Sequence, residues 1–279
     1  MVTKLDYNER MVQAAHAVLL ELVHVLGEYR EGIALVGGWV PGLLLPQNAD
    51  QHVGSMDVDI ALDHTLLEEA GYETICAKLQ SRGYRRSEEQ PFIFYRDVPA
   101  GDDTITVEVD LLAGEYEGTG RRHRTQRVQD AKARKARGCD LVFPMAEEIR
   151  ISGKRPDGYE DAATVKIAGI VPFIIMKAMA MADRQKEKDP YDIYFVLRHY
   201  PGGPDTLIKL FQPHIQHGLV REGLEKLAEK FASPNHIGPN FVADFEDIED
   251  EEEREMLKRD VFERMHYLLR NLGFSNDDL

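Results

Sequence analysis

The stretch Gly54-Ser-Met-Asp-Val-Asp-Ile-Ala-Leu62 decides how this chain folds. From Met56 to Leu62 polar and apolar residues alternate with period two, which predicts a strand. Side chains two apart on a strand point to the same side, so Asp57 and Asp59 share one face. Two like charges held that close repel each other unless a cation or strong donors offset them. A carboxylate pair of this kind suits Mg²⁺, a hard ion that takes oxygen ligands. The competing use, with one Asp capping a loop and the other facing solvent, fits less well with the apolar residues around them.

Upstream, residues 7 to 27 carry Met11, Ala14, Ala15, Val18, Leu19, Leu22, Val23 and Leu26 at helical spacing and stop at Gly27, which predicts an amphipathic helix. Ile33 to Val36 is a short apolar strand that runs into Gly37-Gly38, followed by a helical or turn-like Trp39 to Leu45 and a polar loop from Pro46 to Ser55. With no side chains at Gly37 and Gly38, backbone N–H groups there can approach a phosphate.

Downstream, Leu66 to Arg82 reads as a helix, and Phe92 to Arg96 and Thr104 to Leu112 as a hairpin turning at residues 99–103. Asp110 lies in the second of these strands on the same face as Glu108, which makes it a candidate third carboxylate and Glu108 its competitor. Ile149 to Ile151 and Thr164 to Ile167 are short strand candidates. From Pro172 the pattern is helical nearly to the end, broken at Pro201-Gly-Gly-Pro204. The expected class is α+β: a mixed sheet flanked by helices over residues 1–168, then an all-helical part over 169–279.

Leu35-Val-Gly-Gly-Trp39, Gly54-Ser-Met-Asp-Val-Asp-Ile60 and Val107-Glu-Val-Asp-Leu111 together resemble the signature of the polymerase-beta-type nucleotidyltransferase superfamily. The resemblance covers roughly residues 30 to 115. The 18 residues between Gly38 and Asp57 are more than is usual there, so the intervening loop must bulge out. Lys177-Ala-Met-Ala-Met-Ala-Asp-Arg184 and Lys188-Asp-Pro-Tyr-Asp-Ile-Tyr194 are similar to the AbiEii/AbiGii-type nucleotidyltransferases of toxin–antitoxin and abortive-infection systems. Spacings of seven and four would set Lys177, Arg184 and Lys188 along one helix face. Lys177 follows three apolar residues and needs a partner, either a nucleotide phosphate or an aspartate such as Asp192.

The resemblance implies a nucleotidyltransferase-type sheet and an enzyme that moves a nucleoside monophosphate from an NTP such as ATP to a hydroxyl, releasing pyrophosphate. It implies two Mg²⁺ (or Mn²⁺) ions on Asp57, Asp59 and Asp110. It also implies a nucleotide held by Gly37, Gly38, Ser55, Lys177 and Arg184, with Asp57, Asp59, Asp110 and Lys177 catalytic. An RNA acceptor such as tRNA, or a protein, and a cognate antitoxin would be the partners. The alternatives are a small-molecule acceptor, as in antibiotic-modifying transferases, and a non-catalytic nucleotide-binding protein.

Composition bounds these readings. At 279 residues and 43% hydrophobic, the chain can bury a core without staples. Two isolated cysteines, Cys76 and Cys139, offer neither a disulfide framework nor a CxxC site. The run from Ile167 to Met176 is too short to cross a bilayer and the first residues are charged, so a cytoplasmic protein without membrane contact is expected. A net charge of −15 argues against non-specific coating of nucleic acid. A local basic run from Arg121 to Arg137 stands apart as either an RNA-contacting segment or a solvated loop and helix. His214 and His217, with no acid or thiol beside them, read as surface histidines.

Overall fold

The computed structural model describes residues 2–46, 50–67, 73–115 and 125–274. They form a mixed α/β sheet with helices against it, together with a helical C-terminal part. The chain divides into two compact units, an α/β unit of Tyr7–Val40 and Gly54–Gly169 and a helical unit of Met1–Asp6, Pro41–Val53 and Ile170–Leu279. Residues 1–6 and 41–53 therefore belong with the C-terminal helices, although the sequence pattern sets a single boundary near residue 168.

In the α/β unit, helix α1 (Glu9–Val25) starts where the Asn8 side chain accepts from the Arg10 N–H. Its apolar stripe, including Ala15, Val18, Leu19 and Leu22, is fully buried. Strand β1 (Ile33–Val36) follows, then a single 3₁₀ turn through Gly37-Gly38-Trp39, before the five-residue α2 (Val40–Leu44), which from Pro41 onward counts with the helical unit. Strand β2 (Asp57–Leu62) lies in mid-sheet, antiparallel to β1 and parallel to β5. Helix α3 (Ile75–Ser81) is capped by the Thr74 hydroxyl. It is the described helical part of the predicted 66–82 segment, of which residues 68–72 lie outside the described residues.

Strand β3 (Arg85–Arg86) pairs with β4 (Ile93–Ala100), which forms a hairpin with β5 (Asp103–Ala113) closed at Gly101 with φ +71°. Strands β6 (Thr125–Val128) and β7 (Ala131–Lys135) form a second hairpin whose β7 pairs with β5. The described part of the basic run, residues 125–137, is thus mostly sheet, not loop and helix. The reason lies in Ala131-Lys-Ala-Arg134, which alternates with period two and buries both alanines while its cations point away. Strands β8 (Ala146–Lys154) and β9 (Glu160–Ala168) are longer than the two short apolar runs predict. Most of their residues are exposed or half-buried, so hydrophobicity marks only the pairing nearest the core. The sheet order is β3-β4-β5-β2-β1-β9-β8.

In the helical unit, α4 (Ile170–Asp183) is apolar nearly all round and buried, as an interior helix must be. Around it are α5 (Lys188–His199), α6 (Pro204–Phe211), α7 (Gly218–Lys230), α8 (Ile237–Phe245) and α9 (Glu251–Leu272). Helix α7 comes close to α4 at Gly223, where a Cβ would stand 2.7 Å from the Ile175 Cδ1. Asp250 caps α9, and Glu251, Glu252 and Glu253 place negative charge at its N-terminal dipole. No helix among the described residues is long and apolar enough to cross a membrane.

Candidate active site

Strand register builds the site. Asp59 is level with Val36 on β1 and with Asp110 on β5, and Asp57 is level with Glu108. Paired residues on neighbouring strands project to the same side, so Asp57, Asp59, Glu108 and Asp110 all share one face. Asp57 and Asp59 are half-buried, whereas Asp110 is buried.

The glycine turn matters through space. Gly37 has φ +73°, and a Cβ on it would lie 2.0 Å from Asp59 Oδ2. Both the backbone conformation and the carboxylate therefore exclude any side chain there. Because the helix that follows is only five residues long, its dipole contributes little; the turn's contribution is backbone approach. The next residue but one, Trp39, donates from Nε1 to the Asp57 carbonyl at 2.8 Å. The buried Ser55 hydroxyl donates to Asp57 Oδ1. Thus Asp57 is held at its backbone by Trp39 and at its carboxylate by Ser55.

Asp110 has a different environment. Arg134 on β7 donates to Asp110 Oδ2 from Nε at 3.0 Å and from Nη2 at 2.5 Å. Its guanidinium also stands 6.0 Å from the Phe92 ring centroid. A guanidinium fork on a buried carboxylate is a strong, charge-assisted contact. Among the described residues no group of three or more His, Cys, Asp and Glu side chains is gathered in a way that would hold a metal ion. The donor set on β2 nevertheless fits Mg²⁺ in kind, because that ion is held by one or two carboxylates plus substrate phosphates rather than by an all-protein cage. Asp57 and Asp59 are those two, and the Asp110 oxygen nearest Arg134 is already engaged.

Lys177 and Arg184 lie in the helical unit and come together there with other partners. Helix α4 ends at Asp183 and α5 starts at Lys188, so Lys177, Arg184 and Lys188 do not line one helix face. They converge instead on two buried aspartates. Lys177 Nζ is 2.8 Å from Asp189 Oδ1 and 2.7 Å from Asp192 Oδ2. Arg184 Nε is 2.9 Å from Asp189 Oδ2, and Lys188 Nζ is 2.7 Å from Asp192 Oδ1. His52, from the 41–53 segment, joins at 2.9 Å from Asp192 Oδ1 and stacks on Tyr191 at 5.6 Å between centroids.

Charge governs this cluster. Burial alone would depress the Lys177 ammonium, but Asp189 and Asp192 outweigh it and hold it above the usual lysine range. Burial likewise opposes ionisation of Asp192, yet Lys177, Lys188 and the His52 hydrogen bond hold it well below the carboxylate range. Burial, and then the Lys188 charge, push His52 down to about 4, so it is neutral at pH 7. The partner that Lys177 needs is thus a pair of aspartates, and its charge is already offset.

Sequence patterns left two of these partners unmarked. Arg134 could have been found from the alternation in Ala131-Lys-Ala-Arg134, whereas nothing local connects His52 to Asp192. Arg121, Arg122 and Arg124 lie outside the described residues. The His217 side chain accepts from the Leu219 N–H and caps α7, which is a structural use. Burial pushes the Cys76 thiol up to about 11 and Cys139 up to about 12, so neither offers a thiolate at neutral pH. No protein-family model matches this chain, and no curated protein matches it.

Proposed function

We propose that this chain is a nucleotidyltransferase, moving a nucleoside monophosphate from an NTP to a hydroxyl acceptor. The observation that carries the reading is the register of Asp59 against the Gly37 turn, with Asp57 two residues away on the same face. The acceptor oxygen attacks the α-phosphorus, the bond from that phosphorus to the bridging oxygen breaks, and pyrophosphate leaves. The hydroxyl proton passes to a carboxylate of the site or to water.

Mg²⁺, when bound, would neutralise phosphate charge and align the reacting oxygens, and Asp57 and Asp59 would hold it. Ser55 and Trp39 keep Asp57 in place, and Gly37 and Gly38 leave room for phosphate oxygens beside the backbone. Asp110, fixed by Arg134, keeps negative charge on the same face and orients the acceptor hydroxyl. The toxin resemblance extends the proposal to tRNA or protein as acceptor, in the cytoplasm, with a cognate antitoxin as partner.

A second reading, a nucleotide-binding protein without turnover, is favoured by one observation: Arg134 occupies an oxygen of the third carboxylate. The two separate in one experiment. The protein is incubated with Mg²⁺ and each α-labelled NTP, with total RNA or cell lysate as acceptor, beside an Asp57→Ala/Asp59→Ala control. Label transfer and pyrophosphate release by the wild type alone support the transferase. Nucleotide binding without pyrophosphate release selects the second reading.

A further inference from the structure

We infer that a cavity on the α/β unit, between α1, Trp39 and the ends of the β4–β5 and β8–β9 hairpins, binds a nucleotide unit: a planar base carrying an anionic phosphate. The inference rests on the transferase reading in taking the ligand to be a nucleotide. The cavity measures about 780 Å³, within the range that encloses small-molecule ligands.

Its lining has two chemistries. At the floor, the rings of half-buried His16 and Trp39, the latter 6% exposed, stand 5.6 Å apart at 57°, so His16 gives most of the open aromatic surface and Trp39 an edge beneath it. Gly153 allows this, since a Cβ there would stand 3.0 Å from His16 Cε1. Burial holds His16 below its ordinary value, so it presents a neutral ring at pH 7. Val98 and Pro99 extend the apolar wall. Base stacking on such surfaces needs only a π-face and is sequence-tolerant.

The rim is cationic, with Arg10, Lys154 and Arg155 against the single lining acid Glu160. That balance opposes the net charge of −15 over the whole chain. Arg155 is committed to Asp157 and Asp161 at 2.9 and 3.2 Å, and Arg10 to the Ala100 carbonyl and, at 3.5 Å, to Asp103, which leaves Lys154 as the uncommitted rim cation. Lys154 is exposed and makes no ion pair among the described residues. A ligand without a ring would use only the rim, and one without an anion only the floor; a nucleotide uses both. The floor residue also ties the cavity to the carboxylates, since Trp39 hydrogen-bonds the Asp57 carbonyl.

Trp39 is the one tryptophan of the chain, so its emission reports entry of a ligand into this cavity. The full-length protein is titrated with ATP, GTP, CTP and UTP, and separately with a short single-stranded RNA of mixed sequence. EDTA is present throughout, so that divalent-dependent binding at Asp57 and Asp59 does not contribute. A saturable change in Trp39 emission is expected. Lys154→Glu should raise Kd about tenfold and Gln13→Lys, at another exposed lining position, should lower it. A response to NTP identifies the donor's base as occupant; a response to RNA alone identifies the acceptor strand. Silence with every probe, or Kd values unmoved by both substitutions, overturns the site. Pyrophosphate release with a silent Trp39 removes the cavity and leaves the transferase. A saturable response in a protein that releases no pyrophosphate does the reverse.

Discussion

Two groups of aspartates in this molecule are used in opposite ways. Asp57 and Asp59 stand on one face of β2, half-buried, with Asp57 held by a neutral hydroxyl. Asp189 and Asp192 are fully buried and are met by Lys177, Arg184 and Lys188. In the helical unit the protein supplies more cation than anion, so the charges are satisfied internally and hold helices together. On β2 the carboxylate pair stands half-buried beside a glycine turn bare of side chains, an arrangement that suits an added cation. A carboxylate pair is a candidate for chemistry according to what the fold places beside it, more than according to its spacing.

The largest effect is expected at the transfer step. Asp57→Ala with Asp59→Ala should lower pyrophosphate release by several orders of magnitude while leaving the unfolding midpoint near that of the wild type. Retained activity in that protein would end the transferase reading. Asp192→Ala should do the reverse, costing about 3–5 kcal/mol in urea unfolding because it strands Lys177, Lys188 and His52 in the interior.

A pH series sharpens the contrast. His52 titrates at about 4 when folded and near 6.5 when unfolded. Between those values the unfolded state binds the extra proton, so stability rises with pH across the window. The contribution is fully present above about pH 6.5 and is lost as pH falls toward 4, a change on the order of 3 kcal/mol. Chemical unfolding of the wild type and His52→Gln at pH 7, 5.5 and 4.5 measures it. An unchanged slope in the variant would show that burial, Lys188 and Lys177 do not hold the ring neutral against the pull of Asp192. A stability effect smaller than those at Asp192 and His52 is expected at Gly37→Ala, about 1–2 kcal/mol for a side chain at φ +73°. Its activity loss should exceed what that destabilisation explains, since the methyl group displaces the Asp59 carboxylate; equal activity at matched folded fraction would refute the role of the turn.

Legibility differed by element for physical reasons. Helix α1 and the exposed-to-buried parts of strands β2 and β5 follow periodicity because each buries one regular face of local sequence, while β1 is legible as a short apolar run buried on both faces. The β6–β7 hairpin escaped because its buried positions are one valine and two alanines, too few and small to stand out beside four cations in a net positive run. The predicted stripe of Lys177, Arg184 and Lys188 failed because the chain leaves the helix after Asp183 and restarts at Lys188, turning a linear pattern into a cluster.

From the sequence alone came the α+β class, the carboxylate pair on one strand face and the glycine turn before it, all of which depend on neighbours within a few residues. Tertiary structure decided the rest: that Asp59 meets Gly37, that Asp110 meets Arg134, that His52 reaches Asp192, and that residues 1–6 and 41–53 join the C-terminal helices. These are contacts between distant positions, and periodicity carries no information about which distant charge or gap a side chain will find.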